Sequence, residues 1–184
     1  MNEIDIGQIL ISEPFMEDPN FKQAVILICD YVLEDGTVGF ILNKPIDMKV
    51  GELIDDFPDF DDSVYLGGPV GHDTIHYVHT RGDILDGSVE IRDGLYWGGD
   101  FDKLKFLIET KVITSEDVKF FVGYSGWSPG QLSDELKMGS WVVDDMDNNY
   151  LINISSDDLW KSSLTNMSSS MAIIAEIPDK VNLN

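Results

Sequence analysis

The stretch "AVILICDYV", from Ala24 to Val32, narrows the possible folds more than any other. It is apolar on both faces, so as a strand it must be central and covered from two sides. Its longest uninterrupted apolar run, Ala24 to Cys29, is far short of the roughly 20 residues that cross a bilayer. A turn built on Asp35-Gly36 in "LEDGTV" follows, and then "GFILN" (Gly39 to Asn43). The pair reads as a β-hairpin with a loop of several residues.

Further short strand-like runs surround this hairpin. "QILIS" (Gln8 to Ser12) precedes it. "VYLGG" (Val64 to Gly68), "IHYVHT" (Ile75 to Thr80) and "VEIRDGLYWGG", with a turn at Asp93-Gly94, come after it. "VKFFVGY" (Val118 to Tyr124) is a second buried run. "SWVVD" and "YLINI" read as a late hairpin across Asp147-Asn148-Asn149. Helical spacing falls between these runs. "VGELIDDF" is a short amphipathic segment. "DFDKLKFLIET" (Asp100 to Thr110) puts Phe101, Leu104 and Leu107/Ile108 on one face, with Asp100 as N-cap. "SDDLWKSSLTNM" sets Leu159, Trp160, Leu164 and Met167 at helical spacing. Many strands with a few helices and no regular β-α-β alternation predict an α+β fold. The 184 residues suit a single domain over 1–184.

The densest stretch is "GYSGWSPGQLSDEL", Gly123 to Leu136. "SPGQ" reads as a helix start, with Ser128 as N-cap, Pro129 at N1 and Gln131 completing a capping box. Gly139 marks the helix end. The N–H groups at such a start either hold an anion or are satisfied by Ser128 and Gln131. Ser125 sits in Gly123-Tyr124-Ser125-Gly126-Trp127, which lacks the last glycine of a nucleophile elbow. All three histidines precede it, against the usual order for that elbow.

Other chemistry fares no better. His72, His76 and His79 would share one face of a helix, but "IHYVHT" reads as a strand, which sends His76 and His79 to opposite faces. "DMDNNY" matches the opening of a calcium loop and fails at its sixth position, Tyr150, and its twelfth, Ser156. "GGPVG" and "WGGD" lack the dinucleotide pattern and the phosphate-loop lysine. Cys29 reads as a small buried apolar residue. These readings predict no metal and no cofactor.

Composition excludes one large class. Lys and Arg number 12 against 34 Asp and Glu, a net charge of −22. The cations are scattered, with only Lys103 and Lys105 close together, so direct nucleic-acid binding is not expected. The N-terminus shows neither a basic region nor an apolar run of signal-peptide length, and one cysteine forms no internal disulfide. A cytoplasmic protein with no membrane association is expected.

The motifs "GQILISEP…DPNFKQAVILICD", "GFILNKP", "VYLGGPV", "GLYWGGDFDKL" and "GYSGWSPGQLSDEL…SW" follow one another as in the YqgE/AlgH family of bacterial proteins, which the chain resembles over nearly its whole length, most closely its Bacteroidetes members. The resemblance implies a mixed, largely antiparallel sheet with flanking helices. It carries a transcriptional-regulator label, through alginate regulation, and no reaction. This chain departs from the pattern at Ser125, where many members have Ala, and at Tyr31-Val32, where a His is common. Carried-over motif residues include Asn43, Gly67, Gly68, Pro69, His79, Trp127, Gly130 and Gln131. Those that are polar or amphipathic lie at element ends, where binding residues concentrate. The leading expectation is a non-enzymatic binding or regulatory protein with an unidentified protein or small-molecule partner. Asn43, Gly67 to Pro69 and Trp127 to Gln131 would form one surface. The alternative is a small-molecule hydrolase using Ser125, His79 and Asn43.

Overall fold

The computed structural model describes residues 4–32, 34–147, 149–152 and 155–167. Ten strands form one sheet: β1 (Gln8–Ser12), β2 (Val25–Val32), β3 (Gly36–Ile41), β4 (Pro45–Lys49), β5 (Ser63–Leu66), β6 (Val70–His79), β7 (Val89–Arg92), β8 (Leu95–Trp97), β9 (Val118–Trp127) and β10 (Trp141–Asp145). Their order is β10-β1-β2-β3-β9-β6-β8-β7, with β5 joining β4 to β9. Every pairing is antiparallel except β5 with β9. The expected α+β class with a mixed, largely antiparallel sheet is what the chain adopts.

The apolar run behaves as its pattern requires. β2 lies between β1 and β3, and Val25 to Ile28 are wholly buried. The β2–β3 hairpin forms with Ile26 opposite Ile41 and Val32 opposite Gly36; Leu33 lies outside the described residues. β2 sends alternate side chains to two different cores. Val25, Leu27 and Cys29 enter one, and Ile26 and Ile28 enter the other.

The first of these cores is fed from almost the whole sheet. Ile9 of β1, Phe40 of β3, Val78 of β6, Ile91 of β7, Leu95 of β8 and Phe121 of β9 all belong to it. Strands at opposite ends of the path share one interior only if the sheet curls upon itself. Its terminal strands are tied where Arg92 Nη1 of β7 donates to Asp145 Oδ1 of β10 at 2.7 Å. The helix α5 (Ser156–Met167) adds Leu159, Trp160 and Leu164 to this interior, and Trp160 Nε1 donates to the Ser12 carbonyl. A separate cluster lies under α2 (Phe101–Glu109), whose Leu104, Leu107 and Ile108 pack on Phe120 and Tyr77. Asp100 caps α2 as its sequence predicts, accepting from Lys103 N. The "VGELIDDF" segment yields only one turn, α1 (Val50–Leu53).

Two local expectations are corrected. "YLINI" is not the return strand of a hairpin: Asn149–Ile152 form the short helix α4, and β10 pairs with β1 instead. Burial of the adjacent residues Tyr150 and Leu151 in the first core overrides their strand-like composition. Asn148, Asn153 and Ile154 lie outside the described residues. The second correction concerns α3 (Gln131–Lys137), whose N-cap is Gly130 rather than Ser128. Gly130 takes the left-handed conformation, φ 79°, and turns the chain before the helix begins. Gln131 Oε1 still reaches back to accept from Ser128 N, so half of the expected box survives. Gly139 ends the helix, again left-handed, with Ser140 N donating to the Glu135 carbonyl.

Candidate functional site

Strand β9 organises most of the residues in question. Phe121 and Val122 pair with β5; after Gly123 the same edge passes to β3, with Ser125 opposite Gly39 and Trp127 opposite Thr37. Gly123, φ 65°, makes that handover, and a β-carbon there would lie 2.6 Å from the Val70 carbonyl. Gly67 and Gly68 lie against the same stretch of backbone. A β-carbon on Gly67 would meet the Gly123 carbonyl at 2.2 Å, and one on Gly68 would meet Ser125 N at 2.3 Å. The glycine pair is therefore a packing requirement of strand crossing. Both residues are buried, and only Pro69 beside them is exposed.

Ser125 is fully buried, and its Oγ donates to the Gly67 carbonyl at 3.0 Å. His79 stands opposite Val118, seven residues back along β9. At about 3.3 Å per residue that is ~23 Å from Ser125, so the two do not meet. His79 is itself enclosed and locked: Arg81 N donates to Nδ1 at 3.1 Å, so Nε2 carries the proton and donates to the Gly98 carbonyl at 2.8 Å. Burial holds its pKa below the usual imidazole value. His76 turns to the opposite face, against Phe40 and Trp97, as strand geometry predicts. Asn43 spends its amide on the backbone, accepting from Val25 N and donating to the Gln23 carbonyl. It lies just beyond β3, whereas Trp127 faces Thr37 at the start of that strand. Six residues of strand put ~20 Å between them.

Trp127 does gather a cluster. It is only 4% exposed, stacks on Phe21 at 6.3 Å and meets Trp141 edge-on at 6.0 Å. Glu135 of α3 ties these rings together. Its Oε2 accepts from Trp127 Nε1 at 2.9 Å and Trp141 Nε1 at 2.7 Å, and its Oε1 accepts from Gln131 Nε2 at 3.0 Å. The indoles form a rigid floor, while Gly130 and Gln131 at the start of α3 stay exposed.

At the far end of the same helix are two residues that the sequence pattern does not single out. Met138, its C-cap, is 74% exposed, and Phe15 is 69% exposed. Glu13 N donates to the Ser140 carbonyl, continuing the β1–β10 ladder, and Phe15 and Met138 each lie two residues from that bond. Met16 and Leu136, half-buried, join this end to the tryptophan cluster. Glu17, Asp18 and Asp134, all exposed, belong to the same segments. Two exposed apolar side chains thus flank the end of the β1–β10 ladder, above a hydrogen-bonded aromatic base, and Asp134 pairs with Lys137 at 2.9 Å.

A curled sheet with tryptophans pinned by one carboxylate defines an α+β protein whose recognisable motifs are mostly architectural. The chain belongs to the AlgH-like family, whose model matches residues 9–172. It is 41% identical to a UPF0301 protein of Chlorobaculum tepidum, covering all of this chain and 99% of that one. A UPF0301 protein of Bacteroides thetaiotaomicron is 39% identical over 97% of this chain and 90% of its own length. The fold is shared with the AlgH protein of Pseudomonas aeruginosa, with a TM-score of 0.74, 23% identity, 98% of this chain and 100% of that one covered. A crystal structure from Corynebacterium diphtheriae gives a TM-score of 0.78 at 24% identity, covering 95% of this chain and 93% of that one. No helix among the described residues is long and apolar enough to cross a membrane.

Proposed function

We propose that this protein is a non-enzymatic, cytoplasmic binding protein with a regulatory role, and that it docks a protein partner on the face carried by α3 and the turn after β1. The observation that carries this reading is the exposure of Phe15 and Met138 at one end of the β1–β10 ladder. Large apolar groups left in water on a rigid base mark an interaction surface more often than a scattered pair does. Gly130 and Gln131 extend the face to the other end of α3, ~10 Å away at 1.5 Å per residue. Charge specifies the partner: Glu17 and Asp18, exposed beyond Phe15, favour a segment whose apolar side chains are flanked by Lys or Arg, while Asp134 is already paired with Lys137 at 2.9 Å. The net charge of −22 opposes direct contact with nucleic acid, so regulation on this reading passes through a protein.

Oxidative footprinting in intact cells tests this directly. Met138 should oxidise several-fold more slowly in the cell than in the purified protein, while Phe106, 60% exposed on α2, labels alike in both. Equal labelling of Met138 in the two settings would contradict the docking face.

A further inference from the structure

We propose that the aromatic wall of His76, Trp97 and Tyr124, at the margin of the curled interior, binds a planar nitrogen heterocycle whose ring N–H lies beside a carbonyl, the class of the lactam nucleobases and their nucleosides. This inference is independent of the docking face. The wall stands on the first core, with the wholly buried Phe40 as its floor. The His76 ring lies 5.0 Å from that of Phe40, 6.1 Å from that of Trp97 and 5.9 Å from that of Tyr124, which it meets edge-on. His76, Trp97 and Tyr124 are half-buried, so each shows part of its side chain to water. Tyr124 is fixed in place: a β-carbon at Gly71 would come 3.0 Å from its ring, and one at Gly126 3.2 Å.

The polar atoms of these rings select the ligand. Thr74 Oγ1 donates to the Gly71 carbonyl at 2.6 Å, so its oxygen accepts from His76 Nε2 at 3.0 Å. That fixes the tautomer and leaves Nδ1 as an acceptor. Burial holds the His76 pKa below the usual imidazole value, which favours the neutral ring. Among the described residues His76 Nδ1, Trp97 Nε1 and the Tyr124 hydroxyl have no hydrogen-bond partner. None of the three is sealed from water, because no buried side-chain nitrogen or oxygen goes unpaired among the described residues. The wall thus presents one acceptor, one donor and one group that serves as either.

A flat ring that stacks on such a wall needs a donor for Nδ1 and an acceptor for the indole N–H. An N–H beside a carbonyl supplies both on one edge. Charge narrows the class further. Asp30 stands opposite Val38 in the β2–β3 register and so shares its face, and Val38 packs on the same core. Lys119, opposite Val78 on this face, lies five residues before Tyr124 on β9, with its Nζ 4.1 Å from the centre of the Tyr65 ring. At a net charge of −22 the molecule repels phosphorylated nucleotides, so the wall takes the uncharged base or nucleoside.

Titration of the intact protein with inosine, followed by calorimetry and by the imidazole nitrogen resonances of His76, tests the site. Inosine should saturate the protein below about 10 mM and move the Nδ1 resonance. The analogue 1-methylinosine, which lacks the ring N–H, should bind about tenfold more weakly. Inosine 5′-phosphate at low salt should bind at least about tenfold more weakly. His76→Phe keeps a ring at that position without the acceptor and should cost about tenfold in affinity. The two analogues are compared on the wild-type protein, so the test stands whether or not that variant folds. No saturation by inosine up to about 10 mM would overturn the proposal. So would equal binding of either analogue, or unchanged affinity in folded His76→Phe.

Discussion

Glu135 accepts hydrogen bonds from two indoles and one amide while standing half-exposed on a seven-residue helix. Both indoles are nearly buried, so their N–H groups have no water to fall back on. Removing the carboxylate orphans two donors, each worth about 1–3 kcal/mol. Glu135→Ala should therefore lower unfolding stability in urea by about 2–4 kcal/mol, and Glu135→Gln, which keeps an acceptor oxygen, by about 1 kcal/mol. Equal losses for the two would mean that packing, not hydrogen bonding, holds the cluster. The same geometry explains why Trp127→Ala is a poor probe of binding. It removes a buried ring, which costs about 3–5 kcal/mol by itself. The sequence marks both tryptophans and places Glu135 on the right helix, but the shared oxygen depends on how α3 leans on β9 and β10. Lys119 is visible as a lone cation in "VKFFVGY", yet nothing in that pattern says that Tyr65 faces it.

At the scale of elements, the glycines of the candidate site divide into two kinds. Gly67 packs against the backbone of β9, whereas Gly130 has open space around it and only its left-handed φ to satisfy. Gly67→Ala forces the crossing strands apart and should cost about 3 kcal/mol or more. Gly130→Ala should cost about 1 kcal/mol, the penalty of that backbone conformation. Urea midpoints of the two variants check the contrast; a larger loss at Gly130 would contradict the packing role of Gly67. Local signals were readable beforehand: the β2–β3 hairpin and the Asp100 cap each depend on a few adjacent residues. Pairings between distant segments were not. Strand β10 pairs with β1 across more than 120 residues, and β5 runs parallel to β9 without a helical crossover to announce it. "YLINI" failed as a strand for a related reason, since its conformation follows from the core it covers.

Over the whole molecule, the sheet curls until Arg92 meets Asp145, and the interior so formed takes side chains from strands at both ends of the path. Most family motif residues serve that curl. Asn43 pins the start of β2, the Gly67-Gly68 pair seats a strand crossing, and His79 fixes the β6–β8 corner. On the proposed reading, recognition falls to the margin of α3, where Met138 and nearby Phe15 stay in water. The family pattern marks the floor, through Trp127 and Gln131. It did not show Phe15 and Met138, because exposure is a property of the packed chain and not of residue type. The most direct test compares quantitative affinity capture from an extract of the native cells by the wild-type protein and by Phe15→Ser/Met138→Ser, after equal urea stability has been verified. The account predicts a partner that the wild type retains, that rising salt weakens and that the double variant loses at least tenfold. Retention of the same proteins to the same extent by both would contradict it.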